Sequence, residues 1–405
     1  MILNRRTLLK TAAVAGAMPA LMRTQGAGAA EPFRVGALNP VTGAGSPYGS
    51  SMQKAILFAV KEINAAGGAG GQTLEVVAED DQTSPEPAVL AAKKLVEVNK
   101  VRAVLGTWAS GVALAVSPIF DAAGIIHTTV AGTSGLAAVN KKGFAFRFAG
   151  TSEGIGRSLA DGALEEGFKR ASIMAFNNAS GREMLQGAKS VLQKAGREIV
   201  AEVIYEPNQP SYRSEIQAAL AKQPEVLIMG SFLPDLTIIL REVLQSGADV
   251  KFVVPAWAVT PKSIEALGAA TDGVLLADYE SALGSDAYAS FKQRFKTDSG
   301  IDISGNHYAS CAYDMAMTLA LGMEAAGAGA DNAAIVKAMH QISGPPGKAV
   351  SSFATGKELI KSGQKINYEG ASGPLDFDDG GNAKPIYKLM IVKDGKINQH
   401  RILKL

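Results

Sequence analysis

The sequence predicts an α/β protein of two doubly wound, parallel-sheet lobes. Three observations predict it. From residue 33 onward, short apolar runs alternate with amphipathic helical stretches, the pattern of a parallel sheet covered on both faces. The alternation restarts near residue 155 in units of similar length. A chain of 405 residues also exceeds what one typical core organises, which favours two domains.

In the first series, residues 33–38 read as a short buried strand, and the Gly/Pro-rich stretch 39–49 as a loop. Ala55, Phe58, Ala59, Ile63 and Ala66 then recur at helical spacing. Gly67-Gly68 ends that helix, because glycine accepts the left-handed cap conformation. Residues 74–77 are a strand. Residues 85–98 are a helix with Pro85 at its start, where a missing N–H costs little. Strand 101–105, helix 112–123 and strands 125–129 and 144–148 complete the series. The second series runs helix 155–166, strand 171–176, helix 182–195, strand 199–205, helix 212–222, strand 226–229, helix 233–245, strand 252–254 and short strand 273–277. The remainder is mostly helical, at 287–296, 308–325 and 332–341, followed by a glycine- and lysine-rich stretch, 344–373. Residues 385–393 and 396–405 read as a hairpin turning at Asp394-Gly395.

The first 29 residues read as an export signal. Asn4-Arg5-Arg6-Thr7-Leu8-Leu9-Lys10 opens it, an Ala-rich apolar run (11–22) follows, and Ala27-Gly28-Ala29 offers a small-x-small cleavage site. The paired arginines suit the twin-arginine route, and an ordinary secretory route is the alternative. The run is shorter than the roughly 20 residues that span a bilayer. Everything after it is expected to work outside the cytoplasm. Removing the four leader cations takes the formal charge from +2 to about −2. That balance gives no electrostatic footprint for nucleic acid or for a membrane surface. The one cysteine, Cys311, excludes an intramolecular disulfide.

Enzyme signatures are few. His127, His307, His340 and His400 are scattered singly, without metal-ligand spacing. No phosphate loop and no clean Gly-x-Gly-x-x-Gly opens a βα unit, so no nucleotide cofactor is expected. Gly150-Thr151-Ser152-Glu153-Gly154 matches the hydrolase nucleophile elbow, Gly-x-Ser-x-Gly, between a strand and a helix. A glycine-bearing crossover between the two halves explains it better. Asp80-Asp81 and Asp378-Asp379 read as turn and capping acids. Thr107, Ser110 and Gly111 follow one strand, and Thr128, Thr129, Thr133 and Ser134 follow the next. In an open parallel sheet these positions hold anions on N–H groups and hydroxyls. Helix capping is the competing explanation.

The same residues carry a resemblance. Phe33 to Gly49, with Asn39-Pro40, Gly43-Ala44-Gly45 and Tyr48, resembles the opening of periplasmic leucine/isoleucine/valine-binding proteins. Ala59 to Gly68 resembles that family's first helix and its Gly-Gly end. Glu79-Asp80-Asp81-Gln82-Thr83-Ser84-Pro85 resembles its acidic turn, and Gly373-Pro374-Leu375-Asp376-Phe377-Asp378 with Gly381 its late Gly-x-Leu-x-Phe-Asp segment. The resemblance implies a type I periplasmic binding fold: two lobes joined by three crossovers, with a ligand cleft between them. It implies lobes at 31–150 plus 280–382 and at 151–279 plus 383–405. It implies a monomer that delivers a solute to a membrane permease with separate ATPase subunits.

The resemblance also implies site residues. Ser110, Ala131 and Thr133 match positions that hold an amino acid's carboxylate and ammonium, and Tyr48 matches a tyrosine of the first loop. The second lobe departs. Ser180 and Phe232 stand where the family has tyrosines, and no acid falls near Ala256-Trp257 to pair with an ammonium. A buried ammonium without a counter-charge is costly. Trp108, Phe232 and Trp257 would form an aromatic wall suited to an organic acid, aromatic or aliphatic. The expected function is therefore capture of a small carboxylate-bearing molecule, an amino acid or, given the missing ammonium partner, an aromatic or aliphatic organic acid. A ligand sensor coupled to a signalling partner is the alternative on the same fold, and a serine hydrolase using Ser152 the remote one.

Overall fold

The computed structural model describes residues 31–282 and 284–403. The leader, the end of the final hairpin and Leu283 lie outside the described residues. The chain from Glu31 onward forms one compact unit. Among the described residues, no helix is long and apolar enough to cross a membrane.

The first lobe opens with β1 (Phe33–Asn39), α1 (Ser46–Ala65), β2 (Leu74–Asp80), α2 (Pro85–Lys93), β3 (Ala103–Gly106), α3 (Ser110–Ala123), β4 (Ile126–Thr129), α4 (Leu136–Val139) and β5 (Ala145–Arg147). The second follows with α5 (Ser152–Glu165), β6 (Arg170–Phe176), α6 (Ala179–Lys194), β7 (Glu198–Tyr205), α7 (Arg213–Leu220), β8 (Val226–Gly230), α8 (Leu233–Ser246), β9 (Lys251–Pro255), α9 (Pro261–Leu267) and β10 (Leu275–Glu280). The chain returns to the first lobe through α10 (Asp286–Ser299), α11 (His307–Ala326), α12 (Asn332–Ile342), β11 (Lys348–Val350), α13 (Phe353–Lys361) and β12 (Ile366–Tyr368). It ends in the second with β13 (Ile386–Lys393) and β14 (Lys396–Leu403). The chain thus crosses three times, after β5, after β10 and before β13.

The first sheet is parallel, in the order β2-β1-β3-β4-β5. Its inner strands β1, β3 and β4 are almost wholly buried, as two-sided cover requires, while edge strand β2 (Leu-Glu-Val-Val-Ala-Glu-Asp) is largely exposed or half-buried. The second has the order β14-β13-β10-β9-β8-β6-β7. It is parallel from β7 to β10 and antiparallel at β13 and β14, so the C-terminal hairpin makes one edge of it mixed. In both sheets the strand order reverses next to the lobe's first strand, between β1 and β3 and between β6 and β8. Ligands of open α/β sheets sit in the crevices those reversals create.

Two local features differ from the sequence pattern. The glycine- and lysine-rich stretch 344–373 is ordered: β11 and β12 pair in parallel across α13. The first loop is also shorter than its Gly/Pro content suggests. Helix α1 starts at Ser46 because Pro47 fits the first turn, where it forfeits no helical hydrogen bond.

The first crossover is fixed by tyrosines from the other two. The Thr151 N–H donates to Tyr387 Oη at 3.1 Å, and Tyr279 Oη donates to the Gly150 carbonyl at 3.2 Å. A Cβ on Gly154 would fall 2.0 Å from Tyr387 Oη. The glycines around Ser152 thus serve close packing of the crossovers. Beneath them His307 is buried, with Nδ1 3.0 Å from Ser281 Oγ and Nε2 3.1 Å from Cys311 Sγ.

Candidate ligand-binding cleft

A small cavity lies between the lobes where the two strand-order reversals face each other. The space between its walls, about 320 Å³, is partly open to solvent. Its wall is Trp108, Ala109, Ser110, Val130 and Gly132 from the first lobe's loops, Ser152, Ser180, Phe232, Trp257 and Tyr279 from the second, and Tyr308 from α11. None of these residues carries an Asp, Glu, Lys, Arg or His side chain.

The aromatic part of the wall is interlocked. Trp108 meets Phe232 across the cleft at 5.3 Å between ring centroids, and Phe232 rests on Phe176 at 4.7 Å. Tyr308 stands edge-on to Trp108 at 5.9 Å. Trp257 stacks near-parallel on Tyr279 at 6.4 Å, and its Nε1–H donates to the Ser231 carbonyl at 3.1 Å. Those contacts leave its face to the cavity and its polar edge satisfied. Tyr48 stacks on Trp108 at 5.9 Å from outside the wall and so backs the indole. Burial, then the charge of Asp278, pushes the Tyr48 phenol well above its ordinary range, so it stays neutral.

The polar part of the wall consists of helix starts. Ser110 is the first residue of α3, Ser152 the first of α5 and Ser180 the second of α6; Phe232 caps α8. Each N-terminus carries roughly half a positive charge, although some of its N–H groups are taken: the Ser152 N–H donates to the Gly132 carbonyl at 2.8 Å, the Gly154 N–H to Thr151 and the Gly181 N–H to Asn178. Four such ends converge on one small cavity. The hydroxyls are not needed as caps. Thr151 caps α5 and Asn178 caps α6, each accepting from an N–H three residues on, and α3 begins after Ala109. Ser152 and Ser180 Oγ lie 2.9 Å apart. This arrangement favours an anion of modest size, a carboxylate above all.

The remaining sequence-matched residues lie elsewhere. The Ala131 N–H donates to Thr129 Oγ1 at 2.9 Å, and Ala131 is fully buried behind the wall. Thr133 Oγ1 accepts from the Gly135 N–H at 3.1 Å and donates to Glu183 Oε1 at 2.9 Å. The structure therefore brings Trp108, Ser110, Phe232 and Trp257 together, sets Tyr48 behind Trp108, and commits Ala131 and Thr133 to protein partners. Pattern reading missed Tyr279 and Tyr308, which reach the cavity from β10 and α11. Their only signal was tyrosine at the ends of those elements. Ser180 was noticed for the tyrosine it replaces rather than for the hydroxyl it brings.

The nearby acids have other partners. Asp278 accepts from the Tyr279 N–H at 2.8 Å and sits opposite Lys388 in the sheet. Burial pushes its carboxyl up to about 6, against the pull of Lys388. Asp80 pins the first loop, accepting from the Val41 N–H at 2.9 Å and from Thr42 Oγ1 at 2.6 Å. Asp378 turns its own loop, accepting from the Gly380 N–H at 2.9 Å and the Asn382 N–H at 2.8 Å. Both are turn acids, as their surroundings in the sequence suggested. Ser152 bonds to Ser180, and among the described residues no histidine bonds to it. Among the same residues no group of three or more His, Cys, Asp or Glu side chains gathers as metal ligands do.

Comparison with known proteins agrees with this topology. The profile of a family described as periplasmic binding protein matches residues 32–396. An amino acid binding protein of Pseudomonas aeruginosa is 27% identical over 232 residues, which cover 56% of this chain and 61% of that protein. A Leu/Ile/Val-binding protein homolog of Brucella suis is 24% identical over 369 residues, covering 89% of this chain and 91% of that one. Among solved structures, a leucine binding protein of Thermotoga maritima superposes with a TM-score of 0.77 at 21% identity, covering 92% of this chain and 98% of its own. A solute binding protein of an ABC transporter from R. palustris, in complex with benzoate, gives a TM-score of 0.75 at 21% identity, covering 92% and 96%. The chain belongs to the periplasmic binding protein family and shares the type I fold of its leucine-, isoleucine- and valine-binding members.

Proposed function

We propose that this chain is the exported solute-binding component of an ABC transporter and captures a small carboxylate-bearing molecule without reading an α-amino group. The observation that carries this reading is the cavity wall: four helix N-termini, three serine hydroxyls, an aromatic lining and no acid. A carboxylate is favoured at the helix starts. An α-ammonium would be desolvated there with no counter-charge on the wall, at a cost of several kcal/mol. The relatives' names support an amino acid or organic acid as the ligand class. The benzoate complex of the R. palustris protein supports an aromatic acid on the same fold.

In this reading the lobes, 31–150 plus 280–382 and 151–279 plus 383–405, close as a hinged clamp about the three crossovers. Ser110, with the N–H groups opening α3, takes the carboxylate. Ser152 and Ser180 meet it from the second lobe, so the ligand's charge favours closure. Trp108, Phe232, Trp257, Tyr279 and Tyr308 fix the shape of its body, and Tyr48 holds Trp108 in place. The cleaved leader sends the chain to the periplasm. There the closed form, a monomer, docks on a permease served by separate ATPase subunits.

The test is isothermal titration of the purified mature chain with benzoate and related carboxylates. Ser110→Ala should weaken binding of the best ligand more than tenfold, the effect of a lost hydrogen bond to a charged group. Unchanged affinity would remove Ser110 from the site.

A further inference from the structure

Glu183 projects from α6 of the second lobe into the first. Its Oε1 accepts three hydrogen bonds there: from Thr133 Oγ1 at 2.9 Å, from the Ser134 N–H at 3.0 Å and from Ser134 Oγ at 2.9 Å. Its Oε2 is buried and has no partner among the described residues. Arg147, at the end of β5, is buried close enough for its charge to feel that of Glu183, and its Nη1 donates to the Gly132 carbonyl at 3.3 Å.

The Thr133 hydroxyl has one proton. It accepts from the Gly135 N–H and therefore points that proton at Glu183. While this bond stands, Thr133 has none to give a ligand.

We infer that Glu183 is a built-in latch between the lobes: its carboxylate bridges to Thr133 and Ser134 and favours the closed arrangement without a ligand. Opening the hinge separates all three bonds at once, since the donors lie on the loop after β4 and the acceptor on α6. Charge-assisted bonds of this kind outweigh neutral ones. The inference rests on the hinge closure proposed above and not on the ligand's identity.

The test is the ligand-free distance between the lobes. Leu90 on α2 and Leu244 on α8 are exposed, and the native Cys311 is fully buried, so cysteines placed at those two positions take spin or dye labels selectively. In Glu183→Ala the ratio of closed to open populations should fall about tenfold. Glu183→Gln keeps the shape and should fall less. Thr133→Val combined with Ser134→Ala removes two of the three bonds and keeps the Ser134 N–H, so it should give part of the shift from the opposite lobe and add nothing to Glu183→Ala. Thermal melting confirms that each variant is folded. Equal populations in parent and Glu183→Ala overturn the latch, as do additive effects of the two sets. If no chain populates a second distance, hinge closure itself fails.

Discussion

Asp81 is fully buried beside the Gly-rich loop, with the Thr83 N–H at 2.7 Å on one oxygen and no partner for the other among the described residues. Burial pushes its carboxyl up to about 7, against the pull of that hydrogen bond. The folded state therefore keeps a proton that the unfolded chain releases near pH 4. The stability this group contributes is full below pH 4 and is lost as pH rises to 7. Replacing it with Asn removes the dependence. Between pH 4.5 and 7.5, urea unfolding should show Asp81→Asn gaining on the parent by about 3 kcal/mol. A constant difference would contradict the assignment. At this scale Ser110 was legible from its place after a strand, whereas Trp108, Phe232 and Trp257 came from the family resemblance; the structure brings the four together at the cavity wall. Glu183 was not legible. Nothing in the helical pattern of α6 says that one exposed-type acid crosses to another lobe.

Helix α5 shows why a motif can match without its chemistry. Gly150 and Gly154 bracket Ser152 as a nucleophile elbow does, yet both are small because Tyr387 lies against them. Gly154→Ala would place a methyl 2.0 Å from Tyr387 Oη, against the first crossover. It should cost about 1–3 kcal/mol by overpacking, read as a lower urea midpoint with an unchanged slope. An unaltered midpoint would mean that the crossovers yield freely there. The stretch 344–373 hid its structure for a different reason. Strands β11 and β12 have three residues each and pair across an intervening helix, too short for any period to register. Their return is held by Asp314 of α11, which accepts from Tyr368 Oη at 2.8 Å and from the Ala371 N–H at 3.0 Å. That contact is long-range, and local pattern cannot reveal it.

For the whole molecule, the doubled βα rhythm was enough to predict two lobes of parallel strands. The rhythm did not say where the chain crosses between them, which came from the family resemblance. Nor did it attach the C-terminal hairpin to β10, since an antiparallel pair looks the same wherever it docks. The strand-order reversals then place the cleft. Trp108 and Ser110 follow β3, Ser180 follows β6 and Phe232 follows β8, beside the two points where the order turns. What distinguishes this cleft is the absence of an acid from its wall, combined with four helix starts. The measurement that tests this most directly is calorimetric titration of the mature chain with benzoate, related amine-free acids, leucine and isoleucine under one condition. At least one amine-free carboxylate should bind ten times more tightly than either amino acid. Leucine or isoleucine binding more tightly than every amine-free acid would contradict it.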